Sequence, residues 1–252
     1  MASTDRLRQI TESVRERGQQ SVAELAARTG ASEMTIRRDL ETLADQGVLE
    51  RYRGGARSLL LRGEEPPFAL RAGEGLDAKR RIAAEVAGLI SDGESVVLDS
   101  GTTCLEVARV LRDRRLTVMP LSLHAANALT GGERLRLLLP GGEPRPGELA
   151  LTGPLTEASL AALRFDTAVV GCCGLTAADG LTAYDLADAA IKRAAIASAR
   201  RVIAVAETAK FSRTALAFVA PASALDAVVT EEDAPREELD AMAASGVTVR
   251  RV

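Results

Sequence analysis

The chain has little to stack with, little to bind a metal with, and nothing suited to crossing a membrane. Aromatic residues make up 2% of its 252 residues and tryptophan is absent, which leaves little to pack on a base or nucleoside and favours a small polar ligand. Three cysteines, Cys104 and the adjacent Cys172 and Cys173, cannot build a disulfide framework. With His124 the single histidine, they are too scattered for a zinc site, and no cofactor or metal is expected. No apolar run reaches the length of a membrane span, and the N-terminus MASTDRLRQI lacks the apolar stretch of a signal peptide. A cytoplasmic protein is expected. Lysine is scarce as well: Lys79, Lys192 and Lys210 are the three lysines among 32 basic residues. Where arginine is the rule, a retained lysine hints that a compact point charge is wanted. Charge itself says little, since the net is -3 and residues 1–60 hold ten arginines against nine acids. A case for nucleic acid must rest on where the arginines sit.

What is present is enough apolar material, 46%, for about two cores. The punctuation divides the chain into a first domain over 1–57, a linker over 58–76 marked by Gly63, Pro66, Pro67, Gly73 and Gly75, and a second domain over 77–252. The first domain opens with a helix over 5–17 that Gly18 closes. A capping box, Ser21 to Glu24, starts a second helix over 21–28, and Gly30 is its left-handed cap. From Ser32 a third helix places Ile36, Leu40 and Leu43 on one apolar face, with Met34, Thr35, Arg37 and Arg38 turned outward. Guanidinium forks suit phosphate oxygens and guanine edges. Gly47 ends that pattern, Val48 and Leu49 form a short strand, and Arg51, Arg53 and Arg57 surround a turn at Gly54-Gly55, which reads as a basic wing.

The run SEMTIRRDLETL followed by GVLERYRGGA resembles the signature of the DeoR family of bacterial transcriptional repressors. The resemblance implies a winged helix-turn-helix whose second helix crosses the DNA backbone while the helix from Ser32 enters the major groove. Ser32, Met34, Thr35, Arg37, Arg38, Arg51, Arg53 and Arg57 are then the DNA-contacting residues, and double-stranded operator DNA is the partner. Because one module reads too little sequence, a homodimer or homotetramer is expected.

Beyond residue 77 helical and strand patterns alternate, which predicts an α/β domain with a mostly parallel sheet flanked by helices. Its most informative turn is Asp99-Ser100-Gly101-Thr102-Thr103, between the apolar strand ESVVL and the helix CLEVARVL. Small hydroxylated residues leading into a helix offer free N–H groups and a positive helix end, which suit a phosphate. An ordinary strand-to-helix turn capped by a threonine fits the local sequence equally well. The order Lys79, RIAAEVAGLI, DGESVVLDSGTT, with Gly141-Gly142, Gly180-Leu181-Thr182, Asp185, Ile191-Lys192 and Lys210-Phe211, is similar to the sensor domain of the same family. That resemblance implies a fold shared with ribose-5-phosphate isomerase and a phosphorylated sugar as effector. It places Lys79, Asp99 to Thr103, Gly141, Gly142, Asp185, Lys192 and Lys210 around the ligand. Lys192 also has a second reading, a helix-surface pair with Asp188. It further implies that Glu65, Pro67, Phe68 and Arg71 dock on the second domain, with Phe68 the anchor.

Three departures from the family pattern stand out. Pro120-Leu121-Ser122 replaces a common TNS, Cys173 stands where an acid is common, and Glu207 replaces an aspartate. The function these features support is a DNA-binding regulator released from its operator by a phosphorylated metabolite. The alternatives are an isomerase-like enzyme carrying a DNA-binding module and a regulator of a non-phosphorylated ligand. Loss of the acid at 173 disfavours the enzyme, because sugar isomerisation needs a carboxylate base. At the helix start Cys104 reads either as a thiol activated by the helix end or as a small buried hydrophobe. His124 reads as solvent-facing.

Overall fold

A computed structural model describes residues 3–45, 48–58 and 66–252, and Gly47, Gly63 and Glu65 lie outside the described residues. Two compact units divide the chain, residues 1–74 and 75–252. The first unit runs α1 (Ser3–Arg17), β1 (Gln19–Ser21), α2 (Val22–Thr29), α3 (Glu33–Asp45), β2 (Leu49–Tyr52), β3 (Gly55–Ser58) and α4 (Phe68–Gly73). Ser21 caps α2 in a reciprocal box with Glu24, and Gly30 takes φ 68° at its far end. Ile10, Val14, Leu25, Ile36, Leu40, Leu43 and Leu49 form one core. Leu70 joins it, so α4, inside the span read as a linker, belongs to this unit.

The wing differs from the expected turn. Tyr52 pairs with Gly55, so the turn is Arg53-Gly54 and Gly55 is already in β3. A Cβ on Gly55 would fall 2.4 Å from the Gln20 carbonyl oxygen and 2.5 Å from the Tyr52 hydroxyl, which explains the glycine by close packing. β1, not anticipated, pairs antiparallel with β3 and ties the wing to the helices.

The second unit runs α5 (Leu76–Leu89), β4 (Ser95–Leu98), α6 (Thr102–Leu111), β5 (Thr117–Pro120), α7 (Leu123–Leu129), β6 (Arg136–Leu137), β7 (Glu143–Pro144), β8 (Leu151–Thr152) and α8 (Pro154–Ala162). It continues with β9 (Phe165–Gly171), β10 (Gly174–Thr176), β11 (Gly180–Ala183), α9 (Leu186–Ser198), β12 (Ala199–Val205), β13 (Ala217–Ala220), β14 (Ala227–Thr230), α10 (Arg236–Ala244) and β15 (Thr248–Arg251). Seven strands form a sheet in the order β15-β14-β12-β9-β4-β5-β6, parallel at every pairing.

Strands buried on both faces need apolar side chains on both, which is why residues 96–98 and 168–170 read as short continuous apolar runs. Along β4, Val96 and Leu98 face a core with α5, α6 and α7, while Val97 faces the core that holds Leu160, Ile191 and Leu239. A second sheet, β10-β11-β13, is antiparallel and packs into that latter core. From β4 the chain steps to β5 and β6 on one side, then returns to β9 and steps away on the other. The strand order therefore reverses between β4 and β9, and in open α/β sheets the C-terminal strand ends at such a reversal are where ligands bind.

Candidate functional site

The candidate site residues fall into two sets, one in each unit. In the first, Ser32 caps α3: its Oγ accepts the Thr35 N–H at 3.2 Å and meets Thr35 Oγ1 at 2.9 Å. The inward face holds Ile36, Leu40 and Leu43 together with Asp39, which takes Arg6 Nε at 2.6 Å and fixes α1 to α3. That ion pair was not anticipated, because nothing in sequence joins residues 6 and 39. Outward stand Met34, 62% exposed, and the exposed Arg37 and Arg38. Arg37 is held by Glu33 at 2.8 Å, one turn back, whereas Arg38 has no carboxylate partner among the described residues. On the wing Arg51 lies 3.4 Å from Glu41, Arg57 pairs with Glu50, and Arg53 sits exposed in the turn.

In the second unit the β4–α6 turn sits at the strand-order reversal. Gly101 takes φ 102° and ψ 167° and, having no side chain, gives α6 no side-chain cap, so the positive start of the helix receives no capping oxygen from that residue. Around it Asp99, Ser100, Thr102 and Thr103 are all buried. Asp99 Oδ2 accepts from the Gly171 N–H at 2.9 Å and from Lys192 Nζ. Lys192 also reaches Asp188 Oδ2 at 3.4 Å, and Asp188 Oδ1 faces Ser100 Oγ at 3.4 Å. Lys192 is thus an i,i+4 partner of Asp188, but a buried one, and the helix-surface reading is corrected. Burial works against its ammonium, yet Asp188 and Asp99 outweigh burial and hold it well above the ordinary lysine value. Burial likewise raises the Asp99 carboxyl, against the pull of Lys192.

A second group lies alongside. Lys79, 1% exposed, points at Glu207 Oε2 at 3.6 Å, and Glu207 Oε1 accepts from Thr103 Oγ1 at 3.2 Å. Lys210 is half-buried on the short turn Thr208–Lys210 that follows β12. Gly141 and Gly142, at φ 76° and 99°, lead into β7. A Cβ on Gly142 would fall 2.0 Å from Thr156 Oγ1, so packing against α8 accounts for that glycine. Asp185 caps α9, accepting the Asp188 N–H at 2.8 Å, and its other oxygen lies 3.8 Å from Arg145 Nη1.

One pair of alternatives is decided here, for Cys104, and one expectation changes, for His124. Cys104 is buried at the start of α6, and burial followed by the nearby Asp99 raises its thiol well above the ordinary value, so helix-end activation is overridden. His124 is half-buried and lines a groove of about 690 Å³ between α6 and α7, with Leu105, Arg109 and Asn127.

Family models match both units: the DeoR-like helix-turn-helix domain over residues 6–60 and the DeoR C-terminal sensor domain over 74–232. The chain belongs to the DeoR family. It is 34% identical over 236 residues to the glycerol-3-phosphate regulon repressor of Escherichia coli (strain K12), covering 93% of each chain. It is 31% identical over 250 residues to the putative aga operon transcriptional repressor of Escherichia coli O157:H7, covering 98% of this chain and 93% of that one. The chain matches these two transcriptional repressors along nearly their whole length, and it is a DNA-binding transcriptional regulator of the same family, not an enzyme.

Among solved structures, ribose 5-phosphate isomerase A of Methanocaldococcus jannaschii is 16% identical and covers 55% of each chain at a TM-score of 0.42, a likeness too slight to argue from. Where this DeoR-family chain departs from the usual pattern, the structure supplies local reasons. Leu121 is buried in the core, Ser122 caps α7 by accepting the Ala125 N–H at 3.1 Å, and Glu207 engages both Lys79 and Thr103. Cys173 is buried against the same core.

Proposed function

We propose that this DeoR-family regulator is a cytoplasmic repressor that holds operator DNA through α3 and the β2–β3 wing and releases it when a phosphorylated sugar or related metabolite enters the crevice beyond β4, β9 and β12. The observation that carries this reading is the uncapped start of α6 at the reversal of strand order, with the buried Lys79 and Lys192 each engaged to a residue of that turn or to its partner Glu207. The curated relative whose name includes glycerol-3-phosphate, itself a small phosphorylated polyol, agrees with the ligand class. On the DNA side, Ser32, Met34, Thr35, Arg37 and Arg38 supply the groove contacts and Arg51, Arg53 and Arg57 the backbone contacts. A homodimer or homotetramer sets two such helices on a two-fold operator, roughly 34 Å or a multiple apart.

For release to occur the effector must bind the DNA-competent and DNA-incompetent states unequally. The direct test is operator release, followed by fluorescence anisotropy with DNA from upstream of the chain's own gene and its neighbours. A panel of sugar phosphates and their unphosphorylated parents is added in turn. Release by a phosphorylated compound and not by its parent supports the reading. A second reading, a neutral ligand, is favoured by one observation: Asp99, Asp188 and Glu207 supply three carboxylates to two lysines, Lys79 and Lys192. Release by an unphosphorylated parent alone would select it.

A further inference from the structure

We propose that Arg145 and Asp185 form a second pole of the effector crevice that reads a neutral hydroxyl group, so that the effector is a phosphorylated sugar or polyol and not a phosphorylated sugar acid. This rests on the crevice being the effector site, as proposed above.

Arg145 lies at the tip of the β7–β8 hairpin, where its N–H donates to Ala150 O at 2.8 Å and its carbonyl accepts the Leu149 N–H at 2.8 Å. Leu149 is held at φ 52°, the one non-glycine residue with positive φ among those described, so the tip is fixed at a conformational cost. The hairpin is pinned to the rim of the parallel sheet, because Leu151 N–H donates to Leu121 O and Leu121 N–H to Leu98 O, both at 2.8 Å. Leu98 is the residue before Asp99, so Arg145 is anchored to the same row of strand ends as the β4–α6 turn.

The guanidinium is largely enclosed, at 25% exposure, and its Nε is buried with no acceptor among the described residues. Its Nη1 is 3.8 Å from Asp185 Oδ2, beyond hydrogen-bond range. Asp185 spends Oδ1 on capping α9, which leaves Oδ2 as an acceptor. One turn along α9, roughly 5 Å of rise, Asp188 faces Ser100. A donor and an acceptor thus stand side by side at one end of a line whose other end is the start of α6. A hydroxyl satisfies both, accepting from the guanidinium and donating to the carboxylate. A ligand carboxylate in the same place would pair with the guanidinium but meet Asp185 as a like charge and leave its Oδ2 without a donor.

Calorimetric titration of the full chain with two matched pairs tests this: glycerol 3-phosphate against 3-phosphoglycerate, and sorbitol 6-phosphate against 6-phosphogluconate, with inorganic phosphate as reference. The polyol member of at least one pair is expected to bind about tenfold tighter or better. Asp185→Asn, which keeps a helix cap, is expected to bring that preference close to one. Arg145→Lys, which keeps the charge but not the fork, is expected to weaken the polyol phosphate about tenfold and inorganic phosphate less than about threefold. Equal or tighter binding of the acids by the unaltered chain would overturn the proposal, and so would an equal loss of phosphate and polyol phosphate in Arg145→Lys. Binding of none of the five compounds would instead sink the effector crevice itself, and this inference with it.

Discussion

Replacing Lys192 by methionine removes one cation from between two buried carboxylates. Lys192 Nζ engages Asp99 and lies 3.4 Å from Asp188, and all three side chains are at most 8% exposed. Methionine has nearly the same length and fills the space, so the lost term is the charge and not the packing. Removing one member of a buried pair costs about 3 to 5 kcal/mol, because the remaining charge has neither water nor partner. The penalty falls on Asp99 most heavily, since its Oδ1 has no hydrogen-bond partner among the described residues.

For a unit of this size about 1 kcal/mol moves Tm by roughly 2 to 4 °C, so Lys192→Met is expected to melt roughly 10 °C below the unaltered chain at pH 8. The pH dependence has a definite sign. Without the lysine, the buried Asp99 carboxyl has a folded pKa raised above its unfolded value. The folded state then binds more protons, so stability falls as pH rises through that pKa and recovers as pH drops. The deficit should therefore shrink between pH 8 and pH 5.5, and Asp99→Asn in the same chain should restore part of it. Melting followed by circular dichroism reads both. A deficit below about 1 kcal/mol at pH 8, or one that grows on acidification, would refute the buried-triad account.

Other outcomes follow from single contacts. Arg38→Ala should cost about 1 to 3 kcal/mol of operator binding in anisotropy titrations, and Arg37→Ala less, because Glu33 already competes for that guanidinium; equal losses would deny the difference in their surroundings. Thr102→Glu should abolish operator release by the effector while leaving DNA affinity in place, since the added carboxylate occupies the start of α6 and repels a phosphate; normal release would remove this turn from the effector site. Gly142→Ala should destabilise the second unit by about 1 to 3 kcal/mol, from the 2.0 Å clash with Thr156 Oγ1 and a backbone φ of 99°. A neutral Gly142→Ala in denaturant unfolding would show that the loop before β7 can move aside.

The parallel sheet was legible because its central strands are buried on both faces and carry short apolar runs such as VVL and AVV, and α2 because Ser21, Glu24 and Gly30 mark its ends. The β10-β11-β13 sheet was not. Its strands are three or four residues long, two of them begin at glycines, and AFVA carries no alternation to separate it from a loop. In the site, the β4–α6 turn could be named because its residues are contiguous. Its partners could not be paired, since Lys192 and Asp99 stand 93 positions apart and only the return of the chain to β9, followed by α9, brings them together. Arg145 was missed for a related reason: one arginine among many in an exposed-looking PRPGE segment gives no sign that its Nε will be buried.

The strand order also gathers every thiol of the chain at one place. Cys104 stands in the first turn of α6, and Cys172 and Cys173 follow Gly171, whose added Cβ would lie 3.6 Å from Cys104 Sγ. None is on the first unit, and Cys104 and Cys173 are buried. An alkylating reagent can therefore reach those two only through local opening of the structure around them, and the raised thiol of Cys104 keeps direct reaction slow near neutral pH. In a chain without tryptophan, the rate of thiol alkylation becomes a built-in clock for opening at the ends of β4 and β9, readable by mass spectrometry on unlabelled, unaltered protein with and without DNA bound.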